Sequence, residues 1–349
     1  MRSVKADIFS TSPMLTARVK RIIKSSPTLM RMAGPVFRAK SIAMAHIPIN
    51  GNFPQFPEKA RLDTLDFESI NQFEAWTLGN GGQISDWEAE DDACAPPDGF
   101  AFGVPGFCVM CDESVNFVAT RAWGTTDATG RMRVNWREHL ICPHCNQRNR
   151  VRAALHLAIE TCGMAVGKQI YLTEQFGSTY RWMRGHFKHV TGSEYLSGKR
   201  VSGSRMLGIT HQDVQNLSFA PGSFDYVLTF EVLEHVPDYL AALVSLAKVL
   251  RPGGHLIMTV PFTINKYETT VRAVLAPDGR IEHFLPPEYN GNPTDPINGA
   301  LCFRYFGWDV LERLAEVGFA EVKVHVYHNG PLGYRGGAQT IISAVKPLT

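Results

Sequence analysis

Residues Asp213–Phe262 read DVQNLSFAPGSFDYVLTFEVLEHVPDYLAALVSLAKVLRPGGHLIMTVPF. Within this stretch Phe224–Thr229 (FDYVLT) is an apolar run of strand composition, and Tyr239–Leu250 carries apolar residues at helical spacing. Arg251-Pro252-Gly253-Gly254 ends that helix sharply, because proline cannot continue it and glycine accepts the left-handed turn. His255–Val260 (HLIMTV) is a second apolar run. Strand, helix and strand in succession form a unit whose two strands must run parallel. The same alternation extends outward. Upstream it predicts a helix over Val151–Cys162, a strand over Lys168–Thr173 (KQIYLT), a helix over Ser178–Phe187 and a strand over His189–Tyr195 (HVTGSEY), with a loop from Gly208 to Asp213. Downstream it predicts a helix over Gly307–Val317 and strands over Ala320–His325 and Thr340–Val345. The fold expected over 151–349 is α/β, a Rossmann-like doubly wound sheet. Thr263–Ala300 interrupts it, and Pro286, Pro287, Tyr289, Asn290 and Pro293 make this insertion an ordered lid over a substrate pocket.

The 349 residues suffice for about two domains. A hydrophobic share of 44% with 19% charged residues excludes disorder, collagen and coiled coil, and no apolar run is long enough to span a bilayer. The net charge of +2 is too small to announce nucleic acid. Charge is unevenly spread. Met1–Lys40 holds nine Lys or Arg against Asp7, and Met14–Lys24 can form a basic amphipathic helix that contacts a membrane surface or a partner protein. A loosely ordered extension and an organelle-targeting peptide are the other readings of this segment. No apolar stretch follows the first charges, so a secretory signal is not expected and the protein is expected to be cytoplasmic. From Glu58 to Asp92 ten acids face only Lys59 and Arg61; Leu65–Leu78 reads as an amphipathic helix, and Glu88, Glu90, Asp91 and Asp92 as a solvated loop. The Pro and Gly cluster between Pro96 and Gly106 marks entry to a new module. The expected organisation is an extension over 1–100, a small module over 101–150 and the α/β domain over 151–349, with its lid at 263–300.

That small module holds two identical knuckles, Cys108-Val-Met-Cys111 and Cys142-Pro-His-Cys145. Each Cys-x-x-Cys turn aims two thiolates at one point, and two such turns close a tetrahedral zinc site. Four thiolates leave no open position, so such a site is structural. Cys94, Cys162 and Cys302 make the total odd, which speaks against a disulfide framework. Val115–Trp123 and Arg131–Trp136 are expected to be the strands of a ribbon between the knuckles. Seven arginines, at 121, 131, 133, 137, 148, 150 and 152, either grip phosphate or tie the module to the α/β domain.

The stretch Asp213–Phe262 resembles class I S-adenosylmethionine-dependent methyltransferases, and looks like their small-molecule branch, including ubiquinone-biosynthetic O-methyltransferases. The paired knuckles, with HFLPPEYNGNP at 283–293 and FGWDVLERL at 306–314, also look like a bacterial zinc-knuckle methyltransferase group found near glycosyltransferases. The resemblance implies S-adenosylmethionine as cofactor and assigns residues to it. Glu194, at the end of the second strand, would bridge the ribose hydroxyls. Asp213 would receive the adenine amino group, with Val214 supplying the neighbouring amide. Glu174 would orient the methionine ammonium, and Phe230 and Glu231 would flank the methyl donor. The loop after the first strand, Thr173-Glu174-Gln175-Phe176-Gly177, departs from the family's glycine-rich pattern, since Gly177 is its single glycine.

Methyl transfer requires an aligned nucleophile, a dry site and, for a hydroxyl acceptor, a base. His235, just after the fourth strand, and His283, in the insertion, are the candidate bases. Glu231, Glu234 and His235 are alternatively a divalent-cation site, or Glu234 and His235 merely brace the sheet. The function expected is methyl transfer to an oxygen or nitrogen of a small molecule or glycan. The alternatives are an RNA methyltransferase that grips phosphate with the module's arginines, and a non-catalytic partner protein with a methyltransferase fold.

Overall fold

The computed structural model describes residues 61–127 and 130–348; the basic segment expected to form a helix at Met14–Lys24 lies outside them. The elements named below are β1 (Thr64–Phe67), α1 (Ile70–Cys94), β2 (Ala101–Cys108), β3 (Glu113–Thr120), α2 (Trp136–His139), β4 (Leu140–Ile141), α3 (Asn149–Glu160), β5 (Gln169–Leu172), α4 (Ser178–His186), β6 (His189–Gly192), β7 (Phe224–Phe230), α5 (Tyr239–Val249), β8 (Leu250–Thr259), α6 (Asp309–Glu316), β9 (Ala320–Asn329) and β10 (Tyr334–Val345). They build a seven-stranded sheet of order β1-β9-β10-β8-β7-β5-β6. The expected parallel block is present: β6, β5, β7 and β8 pair in parallel. Antiparallel pairing takes over at the other side, where β10 runs against both β8 and β9, and β1 against β9. Beyond β6, the next strand position is reduced to one parallel bridge between Glu194 and His211.

Apolar side chains leave both faces of the sheet. On one face Leu228, Phe230 and Ile257 pack with Ala154 and Leu155 of α3, Met183 of α4, and Phe117 and Leu140 of the cysteine module. On the other, Val227 and Met258 pack with Leu243 and Leu246 of α5, Leu314 of α6, and Phe73 of α1. Residues buried on both sides explain why these strands read as continuous apolar runs rather than alternations.

Three local expectations are corrected. Glu88, Glu90, Asp91 and Asp92, expected as a solvated loop, lie in the last turns of α1, with Asp91 buried against His328 and Arg335. The helix expected over Leu65–Leu78 begins only at Ile70, where Ser69 caps it by accepting from the Gln72 amide. The preceding Thr64–Phe67 instead extends the sheet by pairing with β9, Asp66 opposite His325. That edge is pinned by a cross-strand chain: His325 Nδ1 lies 2.7 Å from Asp66 Oδ1 and its Nε2 lies 2.7 Å from Ser343 Oγ. The third correction concerns the ribbon. The first knuckle is itself the hairpin turn, joining β2 to β3 with Cys108 opposite Glu113. Arg131–Trp136 forms no strand; it leads into the short α2, and β4 is the third strand of the small sheet. The Cys-x-x-Cys turn closes a hairpin by its own geometry.

The module is bound to the α/β domain by buried arginines. Arg152 of α3 is fully buried, donates to the Leu332 and Gly333 carbonyls at 2.9 and 2.7 Å, and lies 4.0 Å from the Phe117 ring centroid. Asn149 donates to the carbonyls of Trp136 and Arg335, and Arg335 is in turn held by Glu90 and Asp91. A buried cation held by carbonyls and an aromatic face leaves those groups stranded when removed. Arg152→Met should therefore lower unfolding free energy by roughly 2–4 kcal/mol, read from urea melts. A loss below about 0.5 kcal/mol, the ordinary surface range, would contradict this docking.

Candidate functional site

The carboxyl ends of β5, β6 and β7 lie side by side, and an open α/β sheet binds its ligands in the crevice beyond such ends. After β5 the chain runs Thr173–Gly177 and enters α4. Gly177 has φ 101° and ψ −172°, a conformation essentially closed to other residues, and sits at the helix N-terminus. The loop is shaped from the β6 end: Glu194 Oε1 accepts from the amides of Gln175 and Phe176 at 2.7 and 2.6 Å. Gln175 also ties to Thr210 and Gly208. One Glu194 carboxylate oxygen thus replaces part of what a glycine-rich turn would do by backbone freedom. Burial pushes the Glu194 carboxyl up to about 7, against the two amide bonds that lower it.

Asp213 lies at the bridge that replaces the next strand. It caps the 3-10 turn Val214–Asn216, and its carboxylate accepts from the Gln215 amide and side chain. Val214 stands half-buried beside it. Phe230 ends β7 with its ring in the core, 5% exposed. Glu231, the next residue, adopts φ 55°, a left-handed conformation that costs a non-glycine residue energy and that clusters at functional sites. Its carboxylate accepts from Arg137 Nη2 at 2.8 Å, and the same nitrogen reaches the Val260 carbonyl at 2.8 Å.

Arg137 belongs to the cysteine module, and so does the rest of this charge network. Glu138 accepts from Arg137, Arg148 and Arg150, the last at 2.5 Å. Burial would raise its carboxyl, but the three guanidiniums hold it far below the usual range. Glu174 lies in the same field; burial raises its carboxyl, partly offset by Thr179, Arg150 and Arg148. Sequence reasoning missed Arg137 and Glu138 as site residues. The alternating Arg148, Arg150 and Arg152 was the available signal, since side chains alternating at a helix start serve two different neighbours.

His235 and Glu234 follow β7. His235 Nδ1 is 2.8 Å from the Leu301 carbonyl, so that nitrogen carries the proton and Nε2 keeps its lone pair. Burial lowers its pKa, which keeps the ring neutral near pH 7. Glu234 is fully buried, with neither carboxylate oxygen hydrogen-bonded among the described residues. Burial and the charge of Glu231 push its carboxyl well above the usual carboxylate range. It lies 3.6 Å from His235 Nε2. The cation alternative does not fit: Glu231, Glu234 and His235 do not converge as a ligand set, and Glu231 is held by Arg137. Among the described residues the ligand atoms that converge are those of the four cysteines. His283 ends the outer hairpin strand Ile281–His283, exposed to solvent, so the two candidate bases are not brought together.

The four cysteine sulfurs lie within 4.8 Å of one another, with Cys108–Cys145 at 3.8 Å and Cys111–Cys142 at 3.7 Å. Disulfides need about 2.05 Å, whereas four sulfurs about 2.3 Å from one zinc lie roughly 3.8 Å apart. The donor set therefore fits zinc. The second knuckle touches α4 directly: the Asn146 carbonyl accepts from Ser178 Oγ at 2.8 Å and Gln147 Oε1 from Thr179 Oγ1 at 3.2 Å. Trp182 of α4 donates to the Met110 carbonyl of the first knuckle. The insertion and the residues just after it meet the site from the other side. Phe303 donates to the Glu234 carbonyl, Arg304 to those of Leu233, Val236 and Pro237, and Thr294 to that of Tyr195, next to Glu194.

Residues 176–258 match the family model described as a methyltransferase domain. A demethylmenaquinone methyltransferase of Staphylococcus saprophyticus is 30% identical over 168 residues, which is 43% of this chain and 70% of that protein. The Staphylococcus haemolyticus protein of the same name is 30% identical over 143 residues, 38% of this chain and 57% of its own. Among solved structures, an S-adenosylmethionine-dependent methyltransferase from Mesorhizobium loti is 20% identical and covers 55% of this chain and 98% of its own, with a TM-score of 0.36. A 1,6-didemethyltoxoflavin-N1-methyltransferase from Burkholderia thailandensis, solved with its acceptor and S-adenosylhomocysteine, is 18% identical, covers 56% of this chain and 78% of its own, and has a TM-score of 0.34. Scores this low carry no structural argument. The matched domain, the staphylococcal relatives and the site just described agree: the chain belongs to the class I S-adenosylmethionine-dependent methyltransferases.

Proposed function

We propose that this methyltransferase acts on an oxygen or nitrogen of a small molecule or glycan, in the cytoplasm, with one zinc ion held by Cys108, Cys111, Cys142 and Cys145 as a structural brace. The observation that carries the acceptor class is the insertion together with the segment that follows it: Thr294 of the insertion holds Tyr195 after β6, and Arg304, just past the insertion, holds the Leu233–Pro237 loop after β7. A roof held at both ends suits an enclosed acceptor better than a polymer. The staphylococcal relatives are named for a small-molecule acceptor, which supports a small molecule as substrate and does not bear on the acceptor atom. An RNA acceptor would be gripped by exposed, unpaired guanidiniums, whereas each of the module's seven arginines has at least one partner within the protein and only Arg133 and Arg148 stay half-exposed. Arg121 donates to the Gly99, Met132 and Pro96 carbonyls, Arg131 to those of Ala95 and Pro96, and Arg133 pairs with Asp92 and Asp127. Arg137, Arg148, Arg150 and Arg152 are held as described above.

The cofactor supplies an electrophilic methyl group on a sulfonium. The protein's part is to hold it, to exclude water and to receive the acceptor's proton. Glu194 keeps one carboxylate oxygen, Oε2, outside its loop contacts for the ribose hydroxyls, and Asp213 stands at the adenine end. Neutral His235, its Nδ1 proton committed to Leu301, presents Nε2 as the base, beside Glu234.

Isothermal titration with S-adenosylhomocysteine should show one site per chain. Because the Glu194 carboxyl titrates near 7, and its ionised form is the one that accepts two hydroxyl bonds, affinity should rise between pH 6 and pH 8. Glu194→Gln should bind more weakly, by roughly 1–3 kcal/mol, and without that rise. A wild type that binds no S-adenosylhomocysteine, or a profile that Glu194→Gln leaves unaltered, would overturn this placement. For the metal, native mass spectrometry should find one zinc per chain, absent from the Cys108→Ser and Cys142→Ser double variant, which should also melt at lower temperature. A zinc-free wild type of equal stability would contradict the brace.

A further inference from the structure

We propose that Arg150, in the first turn of α3, is the carboxylate clamp of the cofactor pocket, its guanidinium taking the carboxylate of the methionine part of S-adenosylmethionine. This rests on the cofactor reading above and deepens it. Arg150 is 7% exposed; its Nε donates to Glu138, while its Nη1 is buried without a hydrogen-bond partner among the described residues. A guanidinium offers five donors, and a buried donor left unmatched in an otherwise satisfied network points to a missing acceptor. Its place is specific. Its partner Glu138 also accepts from Arg137, which is bonded to Glu231, first after β7. Glu174, second after the neighbouring β5, acts on Arg150 electrostatically, so Arg150 stands by the ends of two adjacent parallel strands. That is the crevice in which such a sheet holds its ligand.

The first loop cannot do this work itself. It has a single glycine, and its Gln175 and Phe176 amides are already spent on Glu194. An anion arriving there needs a donor from elsewhere. The planar fork of an arginine matches a carboxylate in shape and charge. The start of α3, where Arg148 makes no side-chain cap, adds its partial positive charge to the same place. Glu174 is then left for the ammonium of the same zwitterion. The clamp comes from the cysteine module rather than from the sheet, so that module completes the cofactor pocket.

The test compares S-adenosylhomocysteine with its decarboxylated analogue, 5′-S-(3-aminopropyl)-5′-thioadenosine, by titration calorimetry on the full zinc-loaded chain. Wild type should prefer S-adenosylhomocysteine by roughly tenfold or more, since the fork contact is charge-assisted. Arg150→Gln should lose that preference, binding the two ligands with about equal affinity. Arg150→Lys, which keeps a charge near Glu138 but not the fork, should lose most of it. Equal weakening of both ligands in Arg150→Gln, or no weakening of either, would overturn the clamp in favour of a structural tie. Should Arg150→Gln not fold, the wild type and Arg150→Lys still decide, because a wild type indifferent to the carboxylate overturns it outright. A wild type that binds neither ligand sinks the cofactor reading and the clamp with it, and is thereby told apart from failure of the clamp alone.

Discussion

Glu138 accepting from three arginines at once is the contact on which the site depends. Arg137 carries this charge network on to Glu231 and Val260 at the ends of β7 and β8, while Arg150 faces Glu174 beyond β5. A half-dozen charges gathered in a buried place are costly unless each is matched, and breaking one partner strands the others. The network therefore acts as a unit. It also lets a sheet with a glycine-poor first loop hold a cofactor: the rigidity and the donors come from another part of the chain.

The cysteine module can play that part because it is fixed at three places. Arg152 anchors α3 onto the turn at Leu332 and Gly333, and Asn149 ties α2 to Arg335. The second knuckle meets the start of α4 through Asn146 and Gln147, one residue past Gly177. Each is a link between sequence-distant segments, so the order of the pocket depends on the order of the knuckles. A four-thiolate metal site would reach the cofactor through these contacts, not through chemistry of its own.

Much of this was legible in the amino-acid sequence, for definable reasons. The parallel strands showed themselves because burial on both faces makes them uninterrupted apolar runs, as in FDYVLT and HLIMTV. The knuckles showed themselves by spacing alone. The edge strand Thr64–Phe67 did not: four residues cannot display a period, and what holds them is a partner more than 250 residues away, His325 at 2.7 Å from Asp66. The ribbon strands were misplaced because the hairpin turn is the knuckle itself. In the site, the family resemblance and their places after the strands single out Glu194 and Asp213, but not Arg137 and Glu138, since only folding brings the module over β7. His235 and His283 looked equivalent as sequence; burial beside Leu301 separates the first from the exposed second.

The central claim is that the metal knuckles order the cofactor loop, and hydrogen exchange reads this without any ligand present. Amide exchange should be compared in the zinc-loaded chain and after chelation, both without cofactor. The account predicts that protection falls in the knuckles and also across residues 173–183, the loop and the first turns of α4, while β7 and β8 stay protected. Loss confined to residues 101–148, with 173–183 unchanged, would contradict it.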